Sequence, residues 1–445
     1  MDLLERRFAL RAHGTTVRTE VIAGLTTFLT MAYIIFVQPA VLGAAGMDPG
    51  AVLTATCLAT AVATLLMALL ANYPIAVAPA MGHNFFFAYS VVIGMKVPWQ
   101  VALGAVAIAG VIFILTAGIG LREKLITAMP GSIKHAIAAG IGLLIAAIGL
   151  QWAGLIVASP GTLVMLGDLH ARAPLLALGT LALTAILLAR RIPGAFLWGM
   201  LAATLVGGAL GLVHNHGIAS APKSLAPTFM QLDIAGALHP GMIAVVFVFF
   251  FLALFDSVGT LVGVGTQAGL MKDGTLVRGR EALLADAIGT VAGAVLGTST
   301  VTAYIESGAG VAAGGRTGLA SVVTATLFLL SLFLHPLVQT IGGGYTSGSA
   351  TLYPIIAAPL ILVGTMMIGG LRHVEWDDPT ESIPAFLTLV MMPLAVSITE
   401  GVAFGLVSYA LLKVATGRAR EAHPLIYVFA IMFVARYVFL RQSGP

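Results

Sequence analysis

Apolar runs of about 20 residues, the length a helix needs to cross the hydrocarbon core, recur from Val21 almost to Leu440. They fall at 20–43, 51–71, 76–93, 99–119, 133–157, 173–190 and 192–213. After a more polar stretch from His214 to His239 they resume at 240–264, 282–298, 300–314, 316–338, 349–371, 383–397 and 398–416. The pattern predicts fourteen membrane segments. A last run, 424–440, predicts either an interfacial helix or an extra span, and Arg436 within it favours the interface. Two runs are interrupted. Segment 3 reads NYPIAVAPAMGHNFFFAYSVV and segment 10 reads LGTSTVTAYIESGAGVAAGG. Each opens with a β-prone stretch, IAVAPA or TSTVTAY, and turns through Gly or Ser into a short helix. They stand seven segments apart, which gives the two halves inverted topology, a design suited to a transporter. The expected fold is therefore an all-α polytopic membrane protein of two inverted repeats, with short strands in segments 3 and 10.

Composition agrees. Of 445 residues, 59% are hydrophobic and 9% charged, which excludes a soluble globular protein. The pI near 9.3 invites a nucleic-acid reading, but the positive charges sit in short loops. With the N-terminus inside, the even-numbered loops carry Arg122, Lys124, Lys134, Arg190, Arg191, Lys272, Arg278, Arg280, Arg316 and Arg372. The outer side keeps Lys96, Arg172 and Lys223. This asymmetry predicts a cytoplasmic N-terminus in the cell membrane and no nucleic-acid partner. The charged N-terminal arm lacks the pattern of a cleavable signal. The single cysteine, Cys57, excludes an internal disulfide and is expected to pack as a small apolar residue. There is no G-x-x-x-x-G-K-[ST] loop and no H-E-x-x-H, and His214 with His216 lacks a third metal ligand. No cofactor, no metal and no enzymatic activity are expected.

Two acids stand out. Asp256 falls mid-span in MIAVVFVFFFLALFDSVGTLVGVG, and Glu306 falls where the extended part of segment 10 meets its half-helix. Ionisable groups at membrane depth are expensive and rarely structural accidents. Both are candidates for substrate binding and for carrying a proton. Asn84, at the matching place in segment 3, could hydrogen-bond a ligand or cap a helix, and His83 beside it could titrate. Phe85 could stack on a flat ligand, although the Phe85–Phe87 run reads mostly as packing. Thr26, Thr27 and Thr30 share a face that reads as helix packing. Asp286 and Glu400, near predicted segment ends, read as interfacial or paired with cations, and Arg316 as a topological anchor. Glu375, Asp377, Asp378 and Glu381 read as a solvated acidic loop.

Four strings, ERRFALRAHGTTVRTEVIAGLTTFLTMAYIIFVQPAVL, APAMGHNFFFAY, ALFDSVGTLVGV and STVTAYIESGAGVAAGGRTGLASVV, resemble the AzgA-like purine permeases of the nucleobase–cation symporter-2 family, over essentially the whole chain. The resemblance implies the uracil-permease fold. Residues 19–119 and 240–338 would form a core domain, and 120–213 and 349–416 a gate domain. It implies proton-coupled uptake of adenine, guanine or hypoxanthine, and a homodimer. The family's acids fall on Asp256 and Glu306, with Tyr304 and Ile305 supplying the short strand and backbone contacts, and Phe85 or its neighbour Asn84 the segment-3 contact. The uracil permease has a His four residues after its segment-8 acid; here that position is Thr260, so no relay role transfers to it. The competing functions are an anion transporter of the same fold, an intramembrane enzyme using the two acids, and a channel. Glu306 at the half-helix start opposes the first, because its charge repels an anion.

Overall fold

A computed structural model describes residues 2–118, 129–272, 275–347 and 350–439. Arg122, Lys124 and Leu440 lie outside these residues. A short helix, α1 (Asp2–Phe8), precedes the first segment, which is broken into α2 (Val17–Met31) and α3 (Ile34–Ala44). Segment 2 is α4 (Pro49–Leu66), entered through an Asp48 cap and Pro49. Segment 3 is strand β1 (Val77–Pro79) followed by α5 (Met81–Phe85), which continues as a wider turn over Phe86–Gly94. Then come α6 (Trp99–Gly118), α7 (Gly131–Trp152), a β2–β3 hairpin (Ile156–Ser159, Leu163–Leu166), α8 (Arg172–Ala189) and α9 (Ala195–Ala209).

The second half repeats the order. After the small α10 (Ile234–Ala237) come α11 (Ile243–Gln267), a β4–β5 turn (Met271–Lys272, Thr275–Leu276) and α12 (Gly279–Leu296). Segment 10 is strand β6 (Val301–Ala303) followed by α13 (Ser307–Ala312). Segment 11 is α14 (Gly318–Leu330) and α15 (His335–Gly342). A β7–β8 hairpin (Tyr345–Ser347, Ala350–Leu352) leads to α16 (Ala357–Ile368), α17 (Pro379–Leu394), α18 (Ile398–Ala415) and α19 (Pro424–Phe439). Among the described residues, eight helices are long and apolar enough to cross a membrane, and Ala195–Ala209, Ala357–His373 and Pro424–Val438 are shorter apolar helices.

The inverted repeat is visible where equivalent segments touch. β1 and β6 pair antiparallel, with Ala78 opposite Thr302 at the centre. The ladder extends through Ala80 N–H to Thr300 O at 3.0 Å and Tyr304 N–H to Ala76 O at 2.9 Å. The strand is thus set earlier than Tyr304–Ile305. Tyr304 keeps one ladder bond, but the Ser307 N–H turns back to Tyr304 O and leaves Ile305 in the turn. Segments 5 and 12 also meet on each other. A Cβ on Gly142 would lie 2.8 Å from Gly364 O, and one on Gly364 would lie 2.5 Å from Gly142 O, so only glycine allows this backbone approach.

A two-stranded ladder is marginal alone. Here the neighbouring helices supply hydroxyls. Thr64 of α4 both donates to Val77 O and accepts from Val77 N–H, each at 3.0 Å. Thr290 of α12, the equivalent segment, donates to Val301 O at 2.7 Å. Ser307 Oγ takes the Ala76 N–H at 3.0 Å, and Ser321 donates to Tyr73 O at 2.7 Å. The helices sort into two packing groups. α2, α4, α6, α11, α12, α13 and α14 pack around the ladder, while α7, α8, α9, α16, α17, α18 and α19 pack among themselves.

Several expected roles change. Asp286 lies not at an end but two turns into α12, which starts at Gly279; it is fully buried and accepts the Ser257 hydroxyl. The acidic loop is not simply solvated. Asp378 caps α17, which therefore begins before position 383 and carries Glu381 inward. Glu381 accepts the Tyr409 hydroxyl at 3.0 Å and pairs with the buried Lys413 at 3.0 Å; Lys413 also reaches Glu421 at 2.9 Å. Arg418 ties Asp378 (2.7 Å) to Glu421 (2.8 Å). Arg316 caps α13, donating to Val311 O and Gly315 O at 2.7 Å each. Glu400 pairs with Arg436 at 2.9 Å, so α19 runs back along α18. Thr27 is buried against Gly310, as expected of a packing face, and Cys57 is buried.

Thr64→Val is expected to lower stability by about 1–3 kcal/mol, the cost of leaving buried backbone groups unpaired, and Thr64→Ser by much less. Thermal unfolding in detergent measures both, and equal melting of the two variants would assign the ladder's stability elsewhere. Lys413→Met should cost about 3–5 kcal/mol, because Glu381 is left as an uncompensated buried charge. Outside the membrane, the Thr380 backbone N–H and then Arg418 hold Asp378 down to about 2, and Arg418 followed by Lys413 holds Glu421 at about 2. Depressed values mean that this stabilisation is complete above the ordinary carboxylate value, about 4, and is lost as pH falls through the folded value. The melting temperature should fall across that acid window, and less steeply in Arg418→Gln.

Candidate functional site

The β1–β6 crossing delivers two half-helix starts to one place. α5 begins at Met81 after Ala80, and α13 begins at Ser307 after Glu306. Irregular backbone at membrane depth is tolerated where it is enclosed by protein or lines a cavity, and here it lines one. A cavity of about 240 Å³ is bounded on one side by Tyr33, Ala80–Gly82, Asp256, Thr302 and Tyr304–Glu306. On the other side lie Ala138 of α7 and Val363, Met366 and Met367 of α16. It therefore lies between the two packing groups. A second cavity of about 420 Å³ shares Gly82, Ala138, Asp256, Thr260, Ile305 and Met367 with the first. It runs past His83, Phe251 and Phe255 to Lys134 and His135 near the start of α7.

Asp256 stands where the two cavities meet. It sits in the middle of α11, and its side chain is 46% exposed, into this space. Oδ2 accepts the Thr302 hydroxyl at 3.0 Å and lies 4.0 Å from His83 Nδ1. Glu306 is half-buried in the wall of the smaller cavity, and its Oε1 accepts the Tyr33 hydroxyl at 2.7 Å. Thr30 Oγ1 approaches Glu306 O at 3.4 Å. Ile305 is 65% exposed and offers an apolar face between the acids. Tyr304 is buried, with its hydroxyl on Pro79 O. The structure thus brings Asp256, Tyr304, Ile305 and Glu306 together.

Asn84 and Phe85 lie elsewhere. Asn84 is fully buried; its Oδ1 accepts the Ser299 hydroxyl and Gln38 Nε2 (3.2 Å), and Gln38 also donates to Thr298 at 3.0 Å. It braces α3, α5 and the approach to β6. Phe85 is one turn beyond Met81, fully buried, and stacked 5.6 Å from Tyr89 at 16° between planes. Neither lines either cavity.

Sequence reading missed two contributors to this site and one buried acid outside it. Tyr33 occupies the break between α2 and α3, which no local signal marks. Thr302 was recoverable, since alternation along β6 puts it on the same face as Tyr304. Glu20 is a buried carboxylate that takes the N–H groups of Arg316 (2.9 Å), Thr317 (3.3 Å) and Ala320 (3.2 Å) at the start of α14. Among the described residues no cluster of three or more His, Cys, Asp or Glu could hold a metal ion.

Comparisons with known proteins agree with this architecture. The Permease family (Xan_ur_permease) matches residues 18–404. The adenine permease AdeP of Escherichia coli is 47% identical over 98% of this chain and 96% of its own. The guanine/hypoxanthine permease PbuG of Bacillus subtilis is 45% identical over 96% and 98%. Among solved structures, the transmembrane domain of the cyanobacterial bicarbonate transporter BicA has the same fold, with a TM-score of 0.63 at 20% identity over 88% of this chain and 97% of that one. Near-full-length identity at this level, together with the apolar helices, makes the chain a multi-pass membrane transporter and not an enzyme: it belongs to the Permease family, in the branch of the AzgA-like purine permeases.

Proposed function

We propose that the chain imports purine nucleobases in symport with protons, by alternating access. The observation that carries this reading is that Asp256 and Glu306 open into one cavity between the two helix groups. A purine is flat and nearly neutral, and its edges mix N–H donors with acceptors. A carboxylate accepts two such bonds, and a protonated carboxyl donates one and accepts another. Ile305 and the methionines of α16 cover the faces of the ring. The relatives named for adenine and for guanine/hypoxanthine support the substrate class. In this reading the ladder-centred group, 19–119 and 240–338, is the core that carries the base. The group of 120–213 and 349–416 is the gate that moves against it.

Tyr304 and Ile305 contribute backbone and apolar contacts, while Asn84 and Phe85 serve the site at one remove by holding α5 in place. Glu306 carries the proton while the base is held and releases it on the cytoplasmic side, with Asp256 its partner. Proton and purine then bind with reciprocal coupling. The cell-membrane location and cytoplasmic N-terminus rest on the loop charges. A homodimer in the lipid bilayer rests on the resemblance alone. The BicA fold also carries an anion, but two carboxylates facing the cavity repel one, so the anion reading is the weaker.

In proteoliposomes with labelled adenine, guanine and hypoxanthine, Asp256→Asn is expected to lose about tenfold or more in uptake, the scale of one charge-assisted hydrogen bond. Its membrane level should be normal, and unchanged uptake would remove Asp256 from the site. Glu306→Gln keeps the shape of the neutral acid but cannot cycle a proton. It should retain base exchange while losing accumulation driven by a pH gradient; full gradient dependence in this variant would assign the proton to Asp256.

A further inference from the structure

Segment 1 is interrupted by a turn at Ala32–Tyr33, where α2 ends and α3 begins. Tyr33 lies there with only 1% exposure, between two partners. Its hydroxyl donates to Glu306 Oε1 at 2.7 Å. Its ring lies 5.0 Å from the ring of Phe196, tilted by 55°. Phe196 belongs to the first turn of α9, in the other helix group. The same end of α9 is pressed onto α2: Gly194 has φ +73°, and a Cβ there would lie 3.1 Å from Leu29 Cβ. One side chain therefore holds the acid at the cavity with its polar end and the opposing helix group with its apolar end.

We propose that Tyr33 is the positioning residue that couples the protonation of Glu306 to movement of α9 against the site. The inference rests on the transport reading above and names the part that transmits it. An ionised Glu306 has only acceptors, so the phenol must donate to it, and such a charge-assisted bond is roughly twice as strong as a neutral one. The ionised, empty site thus pins the Tyr33 ring on Phe196 and holds α9 in place. A protonated Glu306 brings its own O–H, and a bound base brings competing donors. Either one frees the phenol, and the ring contact with α9 loosens. Protonation state at the cavity becomes freedom of the gate without any contact between Glu306 and α9.

Other ionisable groups surround this pair. Asp256 of α11 lines the same cavity as Glu306, with His83 of α5 at 4.0 Å from it. Tyr304 lines the same wall, but its hydroxyl is committed to Pro79 O. Lys134 and His135 of α7 line the adjoining cavity. Tyr33 reaches α9 through its ring contact with Phe196.

The test uses full-length protein in proteoliposomes, with labelled adenine, guanine and hypoxanthine. It compares exchange without a gradient, accumulation under an imposed pH gradient, and the pH dependence of base binding. Tyr33→Phe keeps the ring on Phe196 but removes the donor, and Phe196→Leu keeps the donor but removes the ring. Phe196→Leu should retain exchange with a KM close to that of the parent, while Tyr33→Phe should retain exchange with a shifted KM, because the base no longer competes with the phenol for Glu306. Both should lose about tenfold in accumulation, the factor that one charge-assisted hydrogen bond carries. Tyr33→Phe alone should shift the pH dependence of binding, because only it changes the partner of Glu306. The double variant should be no worse than either single one, as expected of two residues in one linkage. Parental accumulation and pH dependence in Tyr33→Phe, or additive losses in the double variant, would overturn the assignment while leaving the transport reading intact. A parent protein that moves no purine would overturn both.

Discussion

Backbone polar groups at membrane depth must find partners within the protein, and the rest of this structure is arranged around one place where helices do not supply them. Segments 3 and 10 give up helical bonding over β1 and β6 and bond to each other instead. Three paired residues on each strand make a short ladder, so its ends and outer edges need further partners. Thr64, Thr290, Ser307 and Ser321 supply hydroxyls to them from four different elements. Because these hydroxyls come from segments 2, 9, 10 and 11, satisfying the ladder also ties those segments together. That is why one helix group is built around it.

The break that costs helix bonding also makes the site. A continuous helix would bury its backbone groups and show only side chains to a neighbour. The strand-to-helix turn instead brings Ile305 and Glu306 to a cavity wall that Ala80–Gly82 also line. Asp256 reaches the same space from an unbroken helix, held by Thr302 of the ladder itself. Candidate site and ladder are therefore one structural unit. Behind it, the buried Asp286 with Ser257 and the Asn84–Gln38–Ser299 brace add polar contacts that position the elements of the site without lining it.

The two groups are joined differently inside and between. Within the second group, the Gly142–Gly364 approach and the Lys413–Glu381–Glu421–Arg418–Asp378 network hold helices closely. Between the groups the cavity intervenes, and direct contact narrows to places such as Tyr33 on Phe196 and α5 against α7. A few contacts around a cavity are easier to exchange than a packed interface. Under the transport reading proposed above, this division of strong and weak interfaces suits movement of one group against the other.

Composition and period alone determined that the chain is a polytopic membrane protein, because nothing else accommodates 59% hydrophobic residues in repeated runs about one bilayer long. The strand propensity of IAVAPA and TSTVTAY, seven segments apart, marked the two short strands and the inverted repeat. Asp256 and Glu306 stood out because an acid at membrane depth is visible one residue at a time. What the sequence left undecided were relations between distant residues. The turn of α5 that buries Asn84 and Phe85 is set by its partners Gln38, Ser299 and Trp152, not by local pattern. Glu381 looked solvated until Asp378 started its helix early and Lys413 came to meet it. Tyr33 carries no local mark, because its meaning lies in a partner 273 positions away on one side and a ring in another helix group on the other. Burial and charge at depth are properties of a residue and its neighbours in the chain, whereas pairing across segments exists only once the helices have packed.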